Sequence, residues 1–121
     1  MKILIVEDNE MNMKLFSDIL TYQKYDIDKA FDGAEAFDKI KNNVYDLIIL
    51  DIQLPIMDGF SVLEKLNKEK VKIPKVLIAS ACAMDSDKAK AKEFGIEHYL
   101  TKPIDIKKFV AEIKTMTEEK C

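Results

Sequence analysis

The chain alternates between short, strongly apolar runs and longer stretches in which apolar residues recur at helical spacing. Three of the runs, residues 2–6, 46–50 and 75–79, are almost entirely apolar, which is typical of parallel strands covered on both faces. Two further segments, residues 25–31 and 97–100, mix polar and apolar side chains. Such mixed segments indicate strands at the exposed edges of a sheet.

A helical segment follows each predicted strand, and a capping or turn residue marks where most of these helices start or end. Asn9, Asp32 and Asp105 are placed to cap helix N-termini, and Asp32 opens a sequence that resembles a capping box. Gly95 is predicted to end the fourth helix, which covers about residues 85–94 and has a poor apolar stripe. The residues predicted to face inward from the other helices are Met11, Leu15, Ile19 and Leu20, then Phe37, Ile40 and Val44, then Leu63 and Leu66, and finally Ile106, Phe109, Val110 and Ile113.

The strict alternation of strands and helices, with no linker or repeat, predicts an α/β fold in one domain that covers residues 1–121. We expect a doubly wound, flavodoxin-like sandwich with a parallel five-stranded sheet and helices on both faces. The second and fifth strands are the polar ones, so they belong at the edges, which favours the strand order 2-1-3-4-5 over a closed barrel. Ligands of such sheets bind beyond the carboxyl ends of the strands, at the switch point between the first and third strands.

Composition and charge exclude several classes of protein. Apolar residues make up 48% of the 121 residues and charged residues 34%, which is an ordinary balance for a globular domain. No apolar run approaches the length of a membrane span or resembles a signal peptide, so we expect a cytoplasmic protein without membrane insertion. The net charge is −3, and the 19 basic residues are all dispersed lysines, which disfavours nucleic-acid binding. The two cysteines, Cys82 and Cys121, have no framework spacing and are expected to stay reduced.

Chemically active side chains follow four of the five predicted strands. Glu7 and Asp8 follow the first, Asp51 the third, Ser80 the fourth and Lys102 the fifth. Two carboxylates about 4 Å apart repel each other by about 4 kcal/mol at an effective dielectric of 20, so a cluster of three needs a cation or must bind protons. Oxygen ligands without His or Cys select a hard ion, which makes Mg²⁺ the natural cofactor.

A Mg²⁺ site beside a hydroxyl group and a lysine is suited to stabilising a phosphoryl group. The metal neutralises the phosphoryl oxygens, Lys102 adds a positive charge, and the Ser80 hydroxyl donates a hydrogen bond. A carboxylate next to the metal can act as the nucleophile and form an aspartyl phosphate. Asp51 is the most central of the three acids, and we infer that it is the acceptor.

The motifs Glu7-Asp8, Asp51 with Pro55 and Asp58-Gly59, Ser80-Ala81 and Lys102-Pro103 occur in order and at suitable spacing. In these motifs the chain resembles the CheY-like receiver domain of bacterial two-component response regulators, from Lys2 to the last helix. Residues 6–16 particularly resemble single-domain regulators of the DivK type. The resemblance implies that a phosphohistidine of a partner phosphorylates Asp51. It also implies that Mg²⁺ is held by Glu7 (largely through water), Asp8, Asp51 and the backbone carbonyl of Gln53.

The resemblance further implies roles for residues around the acceptor. Ser80 stands where the family has a Thr or Ser that moves toward the phosphate, and Tyr99 matches the aromatic switch residue. Lys102 matches the phosphate-binding lysine, and the family's proline after it follows a cis peptide bond. Gln53 and Cys82 occupy two positions that tune the lifetime of the phosphate.

From these features we expect a stand-alone receiver without an output domain, because the chain ends just after the last helix. Its partners would be a sensor histidine kinase or a histidine phosphotransfer protein and a downstream protein target, and the protein would be a monomer or weak dimer. It would act as a phosphorelay shuttle or as an allosteric regulator of a kinase. It would not be an enzyme beyond catalysing its own phosphoryl transfer and autodephosphorylation.

Two other functions remain open at this point. A small aspartyl-phosphate phosphatase is one, but phosphatases of the haloacid dehalogenase type have a second Asp where this chain has Gln53, and no cap domain is present. A receiver-shaped interaction module that is never phosphorylated is the other. Two residues also allow two interpretations: Met11 and Met13 could form a partner surface or pack against the fold, and Cys82 is most simply a small buried apolar residue.

Overall fold

The computed structural model of the protein describes residues 1–81 and 85–118. Within these ranges the strands are β1 (Lys2–Val6), β2 (Asp26–Ala30), β3 (Leu47–Leu50), β4 (Lys75–Ser80) and β5 (His98–Thr101). The helices are α1 (Glu10–Tyr22), α2 (Gly33–Asn42), α3 (Gly59–Lys68), α4 (Asp85–Glu93) and α5 (Ile106–Glu118). Each element lies where the hydrophobic pattern predicts it, with shifts of one or two residues at several ends. None of these helices combines the length and hydropathy of a bilayer-crossing segment.

The strands form one parallel sheet in the order β2-β1-β3-β4-β5, as predicted. Both neighbours of β1 are in register with it, so that Val6 at its carboxyl end pairs with Ala30 on one side and Leu50 on the other. The edge strands β2 and β5 keep partly exposed residues, while the three inner strands are almost fully buried. The prediction of polar edges is therefore confirmed.

Alternate residues of the strands enter two separate cores, one on each face of the sheet. On one face, strand residues pack against α2, α3 and α4, and this core includes Leu4, Val6, Ile48, Leu50, Ile78, Phe37, Ile40, Leu63, Leu66 and Ala91. On the other face they pack against α1 and α5, and that core includes Ile3, Ile5, Leu47, Ile49, Leu77, Met13, Phe16, Leu20, Phe109, Ile113 and Met116. Burying each Val, Leu, Ile, Phe or Met side chain of these cores contributes about 1.5–3 kcal/mol.

The predicted caps of three helices are present. The side chain of Asp32 accepts a hydrogen bond from the amide of Glu35 at 2.7 Å, and the Glu35 carboxylate accepts one from the amide of Phe31 at 2.7 Å. This exchange is a variant of the predicted capping box, because Glu35 reaches the residue before the cap. Asn9 and Asp105 cap α1 and α5 in the same way, each accepting from a backbone amide of the first turn.

The apolar stripe predicted for α1 is wrong at two of its positions. Met11 is 83% exposed and Leu15 is 39% exposed. The buried residues of this helix are Met13, Phe16, Ser17 and Leu20, which follow the i, i+3, i+4, i+7 spacing of a single face. The side chain of Met13 is therefore part of the core, whereas that of Met11 points to solvent.

Two more residues that were predicted to face inward lie at or beyond a helix end and are exposed. Val44 is 88% exposed, since α2 ends at Asn42 and the chain has left the helix before this residue. Ile106 is 50% exposed, since it is the first residue of α5 and the buried face of that helix begins at Phe109.

The loop between β3 and α3 packs directly onto the start of α2. The carbonyl of Pro55 accepts a hydrogen bond from the amide of Gly33 at 3.5 Å. A Cβ atom on Gly33 would lie 1.8 Å from the carbonyl oxygen of Met57, so only glycine fits at this contact. The loop that follows the acceptor candidate is thereby attached to a helix from another part of the chain.

A partly buried hydrogen bond joins edge strand β2 to the segment before β3. The phenol of Tyr45 donates to Oδ2 of Asp28 at 2.5 Å, and the ammonium of Lys39 lies 3.1 Å from Oδ1. The hydrogen bond from Tyr45 is the largest influence on the Asp28 carboxylate and lowers its pKa below the ordinary value. Burial, together with the same carboxylate, raises the pKa of Tyr45.

Helix α4 is attached to the fold mainly through lysines and aromatic rings. Ala91 is its only buried residue among those described. The ammonium of Lys90 lies 5.1 Å from the ring centre of Phe60, and that of Lys88 lies 5.9 Å from the ring centre of Tyr99. Such cation–π contacts at exposed sites contribute only about 0.5–1 kcal/mol each, so α4 is the least firmly packed helix.

Candidate functional site

Three carboxylates meet at the carboxyl ends of β1 and β3. The amide of Asp51 donates to the carbonyl of Val6 at 3.1 Å, and the amide of Glu7 donates to the carbonyl of Ala30 at 3.1 Å. These bonds continue the ladders of the sheet by one residue and so hold Glu7 and Asp51 side by side. Carboxylate oxygens of Glu7, Asp8 and Asp51 all lie within 4.8 Å of one another. The predicted cluster is therefore present.

Lys102 bridges two of the three acids. Its Nζ atom lies 2.5 Å from Oε1 of Glu7 and 2.8 Å from Oδ2 of Asp51. The backbone of Lys102 is positioned by its amide, which donates to the carbonyl of Ser80 at 2.8 Å. The peptide bond between Lys102 and Pro103 is cis, as the resemblance implies. The lysine at the end of β5 thus points across the sheet edge into the cluster.

Burial and charge act against each other in this cluster. Glu7 is 1% exposed, and burial is the main cause of its raised pKa, with the charge of Asp51 acting in the same direction. The ammonium of Lys102 and the amide of Asn9, which donates to Oε2 at 3.1 Å, reduce that rise. Burial by itself lowers the pKa of Lys102, but the two acids reverse this effect and raise its pKa above the ordinary value.

Both carboxylate oxygens of Asp51 have partners, and the residue is 4% exposed. Oδ2 accepts from Lys102, while Oδ1 accepts from the amide of Gln53 at 3.0 Å. A Cβ atom on Gly59 would lie 2.7 Å from the carbonyl oxygen of Asp51, so the start of α3 also packs closely on this residue. The orientation of the Asp51 carboxylate is therefore defined on both sides.

Two of the remaining predicted residues, Ser80 and Tyr99, lie on β4 and β5. Ser80 ends β4, is fully buried, and pairs in register with Thr101 of β5. Tyr99 is half-buried on β5, with the ammonium of Lys88 above its ring. The side chain of Gln53 is exposed. Cys82 lies outside the described residues.

The donor set of the cluster fits a small divalent cation. Every side-chain ligand it offers is a carboxylate oxygen, which hard ions prefer. Three carboxylates and one ammonium carry a formal charge of −2, which a divalent ion balances. Asp8 is exposed, so an ion bound here would keep a side open to water and to a substrate. His98 is not part of this set, because its Nδ1 atom is hydrogen-bonded to Glu112.

Sequence patterns did not reveal three features of the site. The amides of Asn9 and Gln53 each bond to an acid of the cluster, although only the cap of Asn9 and the carbonyl of Gln53 were expected to matter. An aspartate that accepts from the amide two residues later forms an Asx turn, which could have indicated the bond between Asp51 and Gln53; glutamate has no such common pattern. Ile56 has a positive φ of 71°, for which its type gives no signal at all.

Comparison with known proteins agrees with this geometry. The sequence model of one family, described as the response regulator receiver domain, matches residues 3–114. The polar-differentiation response regulator DivK of Brucella ovis is 38% identical over 114 residues, covering 93% of each chain, and that of Brucella anthropi is 37% identical with the same coverage.

The non-phosphorylated HemR receiver domain of Leptospira biflexa superposes with a TM-score of 0.89 at 28% identity, covering 99% of this chain and 96% of that one. A chain of the CheX–CheY–BeF3–Mg²⁺ complex of Borrelia burgdorferi superposes with a TM-score of 0.86 at 29% identity, covering 98% and 90%.

Proposed function

Since the chain belongs to the response regulator receiver domain family, we propose that Asp51 accepts a phosphoryl group from a phosphohistidine of a partner protein. The observation that carries this proposal is the position of Asp51 between two other carboxylates and the ammonium of Lys102. An aspartate that served only the fold would gain nothing from two neighbouring acids, because they repel it.

The transfer forms one bond and breaks one bond. An oxygen of the Asp51 carboxylate attacks the phosphorus atom, the P–N bond to the donor imidazole breaks, and the imidazole leaves with the electron pair and takes up a proton. The hydrogen bonds from Lys102 and the Gln53 amide hold the carboxylate in one orientation before the donor arrives. A phosphorylated Asp51 would keep Lys102 as a cationic partner of the phosphoryl oxygens.

Glu7, Asp8, Asp51 and the backbone carbonyl of Gln53 are the groups that would hold Mg²⁺. The bound ion would neutralise negative charge on the phosphoryl oxygens. The formal charge of the cluster and its oxygen-only ligands support this assignment. Ser80 would donate its hydroxyl to the phosphate, and Tyr99 would change position as Ser80 does. Gln53 and Cys82 would influence how long the phosphate survives hydrolysis.

The proposed donor is a sensor histidine kinase or a histidine phosphotransfer protein in the cytoplasm. Phosphorylation would change the surface formed by α4, β5 and α5, and a downstream protein would bind one of the two forms. The weak attachment of α4 supports this part of the proposal, because a helix with one buried residue can move at low cost. The only catalysis in this proposal is the protein's own phosphorylation and dephosphorylation, and the protein would be a monomer or weak dimer.

Incubation with acetyl phosphate and Mg²⁺, followed by intact mass measurement, tests the acceptor directly. We expect the mass of one phosphoryl group to be added to the wild type and to Asp26→Asn, an exposed aspartate on β2 that serves as a control. Asp51→Asn should gain nothing. Equal labelling of Asp51→Asn would place the acceptor elsewhere, and the absence of labelling in all three proteins would favour an interaction module that is never phosphorylated.

A further inference from the structure

Ile56 has a backbone conformation that its side chain disfavours. Its φ angle is +71°, in the left-handed region that glycine and asparagine adopt most easily. A β-branched side chain is a clear outlier there, because its Cβ substituents crowd the following carbonyl group. Neighbouring contacts must therefore impose this conformation.

The contacts around Ile56 explain how the conformation is maintained. The amide of Met57 donates to the carbonyl of Pro55 at 2.7 Å, which closes a three-residue turn with Ile56 at its centre. The same carbonyl accepts from Gly33 of α2, and the amide of Gly59 donates to the carbonyl of Ile52 at 2.9 Å. The loop is thus fixed at both ends and in its middle.

Stability does not account for isoleucine at this position. The residue is 80% exposed, so most of its apolar surface remains in water and contributes little to folding. Glycine or asparagine would adopt the same turn with less strain. Single exposed apolar residues are common, but the strained backbone of this one, in the loop after Asp51, is better explained by contact with another molecule.

We propose that Ile56 is an apolar anchor for the protein that donates the phosphoryl group to Asp51, so this inference rests on the proposed function. The side chain of Asp51 is only 6% exposed, and a donor histidine must therefore enter the mouth of the site. The loop carrying Ile56 begins directly after Asp51, and the amide of Gln53 in this loop donates to the Asp51 carboxylate. A donor that transfers its phosphoryl group to Asp51 would therefore approach this loop and the exposed side chain of Ile56.

The charges on the same rim indicate the chemistry of the donor surface. Asp8 and Asp58 are exposed carboxylates in the loops after β1 and β3, and the one ammonium of the site, Lys102, is already bonded to two acids. A complementary surface has an apolar socket for Ile56 bordered by lysine or arginine side chains. Such complementarity speeds association at low salt and weakens as salt is added.

Two phosphodonors separate this inference from the proposed function. Phosphoramidate is a small donor with a P–N bond and makes no contact with the loop rim. The protein donors are the purified, autophosphorylated histidine kinases of the source organism, each tested on the wild type first.

Ile56→Asn keeps the left-handed turn and removes the apolar side chain, while Ile56→Leu keeps an apolar side chain. Val44→Asn is the matched control, since Val44 is an equally exposed β-branched residue beyond α2.

With phosphoramidate, we expect all three variants to be phosphorylated at the wild-type rate. With the kinase that transfers fastest to the wild type, kcat/KM should fall about tenfold in Ile56→Asn, as for a typical interface anchor, and remain near the wild-type value in Ile56→Leu and Val44→Asn. The kinase rate on the wild type should also fall as salt is raised.

Equal rates of phosphorylation by the kinase in Ile56→Asn and the wild type would overturn the proposal that Ile56 is an anchor. A phosphoramidate rate in Ile56→Asn that falls as much as the kinase rate would overturn it too. If phosphoramidate labels the wild type but no kinase does, both the proposed protein donor and the role of Ile56 as its anchor are rejected. If neither donor labels Asp51, the proposed function itself fails.

Discussion

The ammonium of Lys102 lies 2.8 Å from Oδ2 of Asp51, although 51 residues separate the two in the chain. The same ammonium reaches Glu7, so one lysine partly neutralises two buried acids. A metal ion bound by these acids would have to share them with Lys102. Under the proposed function, the lysine would therefore lower the affinity of the cluster for the ion and also stabilise the phosphoryl group.

Replacing Lys102 should change metal binding and phosphorylation in opposite directions. In Lys102→Ala the cluster loses the ammonium that bridges Glu7 and Asp51, so we expect the affinity for Mg²⁺, measured by calorimetric titration, to rise about tenfold. The rate of phosphorylation by acetyl phosphate at saturating Mg²⁺ should fall on the order of a hundredfold, because one donor to the phosphoryl oxygens is lost. Lys108→Ala, on the exposed part of α5, should change neither. A lower affinity for Mg²⁺ in Lys102→Ala would refute this account of the cluster.

Tyr45→Phe should lower the free energy of unfolding by about 1–2 kcal/mol at neutral pH, because Asp28 loses a hydrogen bond to a charged group. The pKa of Asp28 is lowered in the folded state, so this contribution is present above the ordinary aspartate value of about 3.9 and is lost as the pH falls through the lower folded value. Urea denaturation at several pH values measures both effects. Tyr22→Phe, at an exposed tyrosine, should have the same stability as the wild type. If Tyr45→Phe stays less stable than the wild type in strong acid, the loss does not come from the hydrogen bond to the charged Asp28 carboxylate.

Gly33 and Gly95 should respond very differently to substitution by alanine. Gly33→Ala would bring a methyl group against the carbonyl of Met57, and we expect a loss of at least about 2 kcal/mol. Gly95 has a φ of +77° but nothing within 4 Å of an added Cβ, so Gly95→Ala should cost only the left-handed strain of about 1 kcal/mol. Thermal or urea unfolding of the two variants gives the ranking, and the reverse order would show that the loop moves away from α2 easily.

Backbone amides of α4 should exchange with solvent faster than those of the other described helices. With one buried residue and cation–π contacts from Lys88 and Lys90, this helix can open without unfolding the rest of the domain. Native-state hydrogen exchange followed by NMR measures this directly. Lys90→Ala should increase the exchange of α4 selectively, whereas Lys114→Ala on α5 should not. Protection of α4 equal to that of α1 would mean that its packing is stronger than its buried surface suggests.

Much of the fold followed from hydrophobic periodicity, because buried parallel strands leave nearly continuous apolar runs. The errors occurred where a helix offered two plausible faces. In α1 the aliphatic residues Met11 and Leu15 suggested one face, but Phe16 fills more core volume and determines the buried one. Val44 was placed inside because no residue type near it marks the end of α2, and Ile106 because its spacing fits the buried face although it lies at the exposed start of α5.

The grouping of Glu7, Asp8, Asp51 and Lys102 was predictable, since the carboxyl ends of parallel strands share one edge of the sheet. Their individual roles stay predictions. The bridging position of Lys102 depends on side-chain geometry that strand order does not determine. The conformation of Ile56 was likewise inaccessible, because it is imposed by contacts that include Gly33, which is distant in the chain.

The division of the apolar interior by the sheet has a consequence for how this molecule can change. Substitutions in the core beneath α1 and α5 share few neighbours with those beneath α2, α3 and α4, so their energetic effects should add. A designer could therefore repack one layer and reshape its outer helices while leaving the other layer as it is. Natural variation could proceed in the same way, with one side of the molecule diversifying while the other preserves the frame that carries Asp51.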